Sequence, residues 1–348
     1  MLKMKEQPIK QQRKEPTESP TQKGRSLGRR ILMFPVTRLL IAATMLAIVF
    51  LLFSFIGGFI EGFLGLDPLS DDVLADFNGE VVLALAGIVT LALMSRVIER
   101  RSLAEVGLGH HGLLRHTSLG FGIATATLLL ITLVLELADS LGVIGATPDD
   151  DLAYNSIYWQ QLGIFGYLAA AFVFTCFIAV FEEIMFRGFL FRILEEGLGS
   201  WLALAISALL FGMIHMTNYS SDASLISVMP QIALGLSLAA AYMLTRKLWL
   251  SIGFHWAWDF TLTAASGGDI FQDDWGAAPT SLDPSDMVVV AFTLILAIVF
   301  LALAVRRGQI RTPSWMQRKQ THKRTFIDEN AAAPFLTEEK AVEEIDVL

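Results

Sequence analysis

The sequence predicts an all-α, polytopic membrane protein with about eight transmembrane helices. Three observations point there. The 348-residue chain is 54% hydrophobic, above the roughly 45–50% of an ordinary soluble domain. The excess is gathered into runs, and about 20 apolar residues suffice to cross a bilayer. All 26 Lys and Arg residues fall in segments that one membrane topology places on the same side.

The elements follow in order. Residues 1–35 are rich in Lys, Gln, Glu, Pro and Ser without an apolar period, and read as a disordered basic cytoplasmic arm. Its end, "KGRSLGRR", reads as a topology determinant, with contact to anionic lipid as the alternative. The first apolar run, 38–63, is too long for a signal-peptide core and has more than thirty residues before it. It is therefore expected to be an anchor and not a cleaved leader. Further runs lie at 81–98, 118–138, 163–190, 200–216, 225–245, 248–266 and 286–305. The fourth continues past Arg187 and Arg192 to Glu195, so its helix is expected to exceed the membrane thickness. Between the second and third runs, "RRSLAEVGLGHHGLLRH" suits a short interfacial helix, with His110, His111 and His116 at the surface. Residues 306–348 pass from basic to acidic, the pattern of a solvated cytoplasmic tail. Residues 36–305 thus form one eight-helix domain without internal repeats.

The formal charge of −8 hides an asymmetry. Lys and Arg occur only in 3–38, 96–115, 187–192, 246–247 and 306–340. The intervening polar stretches carry Asp67, Asp71, Asp72, Asp149, Asp150, Asp151, Asp273 and Asp274. The positive-inside rule puts both termini in the cytoplasm, which an even number of crossings permits. Cys176, the only cysteine, can form no internal disulfide.

Ionisable residues inside membrane runs are expensive and mark function or pairing. Glu61 and Glu136 lie near the outer ends of their helices and are expected to reach interfacial water. Glu182, Glu183 and Arg187 on the fourth run, His215 on the fifth, and His255 and Asp259 on the seventh remain. Glu183 and Arg187 are four apart and share a helix face, so they pair. Glu182 is rotated away and needs a partner from another helix. From spacing alone, interhelical pairing of both acids is the alternative role. Glu182 and His215 lie about 20 and 22 Å from the turn "EEGLGS" at about 1.5 Å per residue, so an antiparallel hairpin brings them to one level. His255 and Asp259 share a face, but His255 is only about 12 Å past Lys247 by the same reckoning. The seventh helix therefore either starts deep or carries a tilted site. Trp249, Trp256 and Trp258 around it read as interfacial anchors.

Three stretches then resemble one known family. "EEIMFR", "FGMIH" and "HWAWD" are similar, in order, to the three motifs of the CPBP intramembrane endopeptidases, the CAAX prenyl protease-like or Abi family. "LWLSIGFH" and "RSLAEVGL" are similar to family members as well, and the motif core covers about 180–265. The resemblance implies a glutamate-dependent membrane protease without a cofactor. Glu182 would activate water, His215 would help hold it, and His255 and Asp259 would stabilise the oxyanion. Glu183 and Arg187 would be the supporting ion pair. The implied partner is a membrane-anchored peptide or protein substrate in the lipid bilayer, with no nucleic acid. The implied location is a prokaryotic plasma membrane. This chain carries Asp259 where the eukaryotic prenyl-protein proteases carry Asn, and an ionised Asp cannot donate to an oxyanion.

Other readings remain open. Glu182, His215 and His255 also form a two-histidine, one-carboxylate set able to hold zinc with an open position. A non-catalytic scaffold or bacteriocin-immunity protein is a further alternative. A transporter is disfavoured because paired polar sites in two halves are missing.

Overall fold

The computed structural model describes residues 31–65, 73–143, 157–219, 222–266 and 281–313. The expected arm, apart from 31–35, and the expected tail, apart from 306–313, lie outside the described residues. So do the eight aspartates that mark the acidic side.

Among the described residues every regular element is helical. In chain order they are α1 (Pro35–Leu64), α2 (Val73–Leu93), two π-helical segments (Met94–Glu99 and Ala104–Leu108), α3 (Leu113–Ser140) and α4 (Ile157–Glu183). A third π segment (Ile184–Phe191) leads into α5 (Arg192–Leu198) and α6 (Ser200–Ile214). A 3₁₀ turn (His215–Asn218), α7 (Met229–Thr245), α8 (Leu248–Ser266) and α9 (Pro284–Arg306) complete the order.

Among the described residues, six helices are long and apolar enough to cross a membrane: Pro35–Phe63, Val81–Glu99, Ala104–Ser140, Leu162–Leu198, Ser200–Asn218 and Pro284–Arg306. The expected count of eight is not reached on these grounds. Helix α7 has 17 residues and falls short in length. Helix α8 is long enough, but His255, Asp259 and its tryptophans lower its hydropathy. Both are nonetheless the innermost helices. Of α7, Leu238 to Leu244 are all buried, and of α8, Leu248, Ile252, Phe254, His255 and Trp258 are buried. Their polarity is tolerated because protein surrounds it. At the other extreme, α1 leaves Leu51, Phe55, Phe59 and Phe63 exposed, as a helix facing lipid would.

Small residues set the interhelical distances. A Cβ at Gly120 of α3 would collide with the Leu250 carbonyl, and one at Gly253 of α8 with the Thr117 carbonyl. The two glycines therefore let α3 and α8 touch backbone to backbone. The tryptophans tie elements together. Trp249 Nε1 donates to the Gly109 carbonyl at 2.7 Å, and Trp256 Nε1 to the Phe172 carbonyl at 2.7 Å. Trp258 is buried and stacked on Phe254. The expected interfacial helix after α2 is a single π turn whose Val106 and Gly107 are buried, with Leu248 of α8 close to Gly107. Glu61 is buried too, not water-facing, whereas Glu136 is exposed as expected.

One end of the bundle is closed by two adjoining ion-pair networks. Arg38 of α1 and Arg192 of α5 both bind Glu99, and Arg38 and Arg101 both bind Glu196. Next to these, Glu195 binds Arg246 at 2.6 Å and accepts from Ser200 Oγ at 2.5 Å, with Arg311 at 3.5 Å. These arginines come one from each of the five basic segments of the sequence. One arginine of each segment therefore lies at the same end of the bundle.

The glycine contact is directly testable. Gly253→Ala is expected to cost about 1–3 kcal/mol, because overpacking against a main-chain carbonyl has no side chain to move aside. Gly58→Ala, where a Cβ meets nothing within 4 Å, should leave stability unchanged. Thermal melts of both variants in detergent check the pair.

Candidate active site

Adjacent residues on a helix point about 100° apart, and the end of α4 uses that divergence. Glu183 turns into the core and has no exposed side-chain surface, while the Glu182 side chain keeps 22% exposure. The π segment Ile184–Phe191 follows at once, a widened turn of the kind often seen at functional sites. Arg187 on this segment still reaches back, with Nη1 2.7 Å from Glu183 Oε1. Its Nη2 donates to the Gly235 carbonyl of α7 at 3.0 Å. Its guanidinium carbon lies 4.7 Å from the centre of the Phe211 ring, a cation–π contact.

Helix α8 supplies the next layer. His255 Nδ1 lies 3.1 Å from Glu183 Oε1. A carboxylate only accepts, so Nδ1 carries the proton and the other ring nitrogen faces outward. That nitrogen, Nε2, lies 3.3 Å from Asp259 Oδ2 and 3.8 Å from Glu182 Oε2. The last distance is too long for a hydrogen bond. Glu182 Oε2 is enclosed and has no hydrogen-bond partner. The cluster thus has a sealed floor, Glu183 and Arg187, and a rim, Glu182 and Asp259, that retains exposure.

His215 closes α6. Its Nδ1 lies 2.7 Å from the Phe211 carbonyl, which places the proton there and the lone pair of the neutral ring on Nε2. Phe211 links it to the rest, with its ring 4.9 Å from His215 and 5.6 Å from His255. The structure therefore brings Glu182, Glu183, Arg187, His255 and Asp259 into direct contact distance, with His215 joined through Phe211. Among the described residues, no group of three or more His, Cys, Asp or Glu side chains is arranged to hold a metal ion. The set Glu182, His215 and His255 gives no ready zinc cage.

The depth mismatch expected for His255 does not occur. Arg246 pairs with Glu195, so α8 begins at the same end of the bundle as the turn after α5, and the His255 ring still reaches Glu183 at 3.1 Å and lies 3.8 Å from Glu182. Sequence reasoning also missed the hub role of Phe211 and the Gly235 carbonyl. The available signal for Phe211 was its position four residues before His215, one turn back on the same face.

The comparison with known proteins now has a geometry to rest on. The model of the type II CAAX prenyl endopeptidase Rce1-like family matches residues 164–261. This match supports the CPBP/CAAX protease family for this part of the chain. No curated protein and no solved structure matches the chain. The matched span of the CAAX-protease domain contains all six residues of the cluster, from Glu182 to Asp259. It also runs across α4 to α8, the part of the bundle in which the innermost helices lie.

The sealed floor has a measurable weight. Arg187→Met leaves Glu183 charged and uncompensated apart from His255, and breaking a buried pair in this way costs about 3–5 kcal/mol. A double variant, Arg187→Met with Glu183→Leu, removes both charges and should recover most of that stability. Melting temperatures of the single and double variants in detergent test this, and equal losses would contradict it.

Proposed function

We propose that this CAAX-type membrane protease is a glutamate-dependent endopeptidase that cleaves a peptide bond in a membrane-associated substrate. The observation that carries the reading is the inequality of the two acids. Glu183 is matched through Oε1 by Arg187 at 2.7 Å and His255 at 3.1 Å, with only its Oε2 unpartnered, whereas Glu182 Oε2 is enclosed without a hydrogen bond, 3.8 Å from His255 Nε2, on a side chain that keeps 22% exposure. An acid held in that state suits a general base.

In this mechanism Glu182 takes a proton from water, and the resulting hydroxide attacks the carbonyl carbon of the scissile bond. His215 orients that water through its Nε2 lone pair. The carbonyl electrons move onto oxygen, and His255 acts as the imidazolium, its Nδ1–H on Glu183 and its Nε2–H offered to the oxyanion. Glu182 then returns its proton to the amine as the C–N bond breaks. Glu183 keeps the His255 ring in the orientation that sends Nε2 to the reacting carbonyl. Asp259, at 3.3 Å from the same nitrogen, acts by holding the proton on His255 Nε2.

The substrate class follows from location and from the wall beside the site. Phe121, Phe172, Trp256 and Phe260 form a ring-on-ring cluster, with Phe172 to Trp256 at 4.4 Å and Phe172 to Phe260 at 5.2 Å. Trp256 and Phe260 are immediate chain neighbours of His255 and Asp259, and Phe172 is 39% exposed. Such a wall favours a lipidated or membrane-tethered tail, as the prenylated CAAX class would provide. The convergence of five basic segments at one end, read with the positive-inside rule, supports a plasma-membrane protein with both termini in the cytoplasm.

Glu182→Gln is expected to lower cleavage of a prenylated CAAX-type peptide by about 10²–10⁴-fold, the usual weight of a general base. Its melting temperature should stay near that of the parent, since the oxygen it alters holds no hydrogen bond. Asp259→Asn should keep part of the activity; complete loss would mean that the carboxylate itself is required. Chelation should leave the rate within twofold or so, whereas loss restored by Zn²⁺ would move the chemistry to a metalloenzyme. A Glu182→Gln strain indistinguishable from wild type in its membrane-protein termini would point to a scaffold instead.

A further inference from the structure

Gln231 lies on the face of α7 that meets the acid-bearing helix. Two contacts fix that face. The Tyr242 ring lies 5.5 Å from Phe191, and the Gly235 carbonyl accepts from Arg187 Nη2 at 3.0 Å. Gln231, Gly235, Leu238 and Tyr242 follow at steps of four, three and four residues, the spacing of one helical stripe. The helix carrying Arg187 and α7 run in the same direction, because Arg187 and Gly235 both precede Phe191 and Tyr242. One turn further back along each helix stand Glu183 and Gln231. A Cβ at Gly235 would meet Phe211 and Ala208, and one at Gly212 would meet Ile232 and the Val228 carbonyl, so α6 and α7 run antiparallel and Gln231 stands beside the end of α6 that carries His215.

The Gln231 side-chain oxygen is enclosed, and it accepts no hydrogen bond. An enclosed amide oxygen without a partner destabilises the protein relative to an apolar side chain of similar size. Its presence on this face therefore calls for a donor that arrives from outside. The carboxamide offers a donor and an acceptor, the two functions that the N–H and C=O of an extended peptide require. It also adds no charge to a site that already holds three carboxylates, Glu182, Glu183 and Asp259.

We propose that Gln231 binds the substrate main chain beside the scissile bond through its side-chain carboxamide. The inference rests on the peptidase reading above and adds to it a residue that selects for peptide over other carbonyl substrates. The carboxamide takes no part in proton transfer. It aligns the bond over Glu182 and the His255 nitrogen.

The test uses the full chain in detergent with a fluorescent farnesylated peptide bearing a CAAX-type tail. Binding is measured by anisotropy to Glu182→Gln and to Glu182→Gln with Gln231→Met. The second form should bind about tenfold more weakly, the effect of losing one or two neutral hydrogen bonds. Gln231→Met alone should melt at the parent temperature or above, because no internal bond is lost. Equal affinity of the two forms, no binding by either, or a lowered melting temperature for Gln231→Met would each overturn the proposal. If Glu182→Gln still cleaves the peptide, the peptidase mechanism falls as well. If Glu182→Gln is inert and the second change leaves affinity unaltered, only the role of Gln231 falls.

Discussion

The buried Glu183 carboxylate is the point on which this arrangement depends. A carboxylate without exposed surface is tolerable only if its charge is matched. Here one oxygen, Oε1, receives both Arg187 at 2.7 Å and His255 at 3.1 Å. Arg187 in turn is tied to the main chain of α7 through the Gly235 carbonyl. One acid thus fixes three helical elements against each other, the end of α4 with its π segment, α7 and α8. The orientation of the His255 ring follows from the same contact, because its protonated nitrogen must face the carboxylate. The outward nitrogen is then delivered to Asp259 and Glu182 without a further device.

The closed end of the bundle has a complementary task. The pairs around Glu99, Glu195 and Glu196 bind the lipid-facing α1, the segment after α2, the α7–α8 turn and the segment after α9. Helix α1 exposes most of its length, so apolar packing alone gives it little purchase on the core. Arg38, which is itself buried, supplies a specific attachment at one point. Charge pairing concentrated at one end leaves the remainder of the bundle to be held by small-residue contacts such as Gly120 and Gly253. That division lets the level of Glu182 stay open enough for a residue with 22% exposure.

Much of this was legible in the sequence, for physical reasons that can be named. The Glu183–Arg187 pair follows from four-residue spacing, and it survives the widened π turn because the arginine side chain is long. The unmatched state of Glu182 follows from its rotation away from that pair. The sharing of one side by all basic segments is visible because charge asymmetry is written directly in composition. What was not legible was depth. Counted in residues from Lys247, His255 falls short of Glu182, yet its ring reaches Glu183 at 3.1 Å. A count of residues along one helix carries neither the angle between helices nor the reach of their side chains. The number of crossings suffered from a separate cause: α7 is short and α8 is polar, and both are admissible inside because other helices shield them. A count restricted to ionisable residues also passed over Gln231, since a neutral carboxamide becomes informative only when its surroundings show that nothing pairs with it.

Two adjacent acids give the site what a single acid or a spaced pair would not. On one helix, consecutive side chains diverge by about 100°, so one backbone position of known rigidity serves two environments. The inner acid is consumed by structure, and its bonds to Arg187 and His255 stiffen the segment that carries the outer acid. The outer acid inherits that rigidity without sharing those partners, and so keeps its oxygen available. Acids spaced four apart would both face Arg187, and competition for one guanidinium would leave neither fully matched nor fully available. The divergence of neighbours on a helix is therefore what separates the structural carboxylate from the chemical one here.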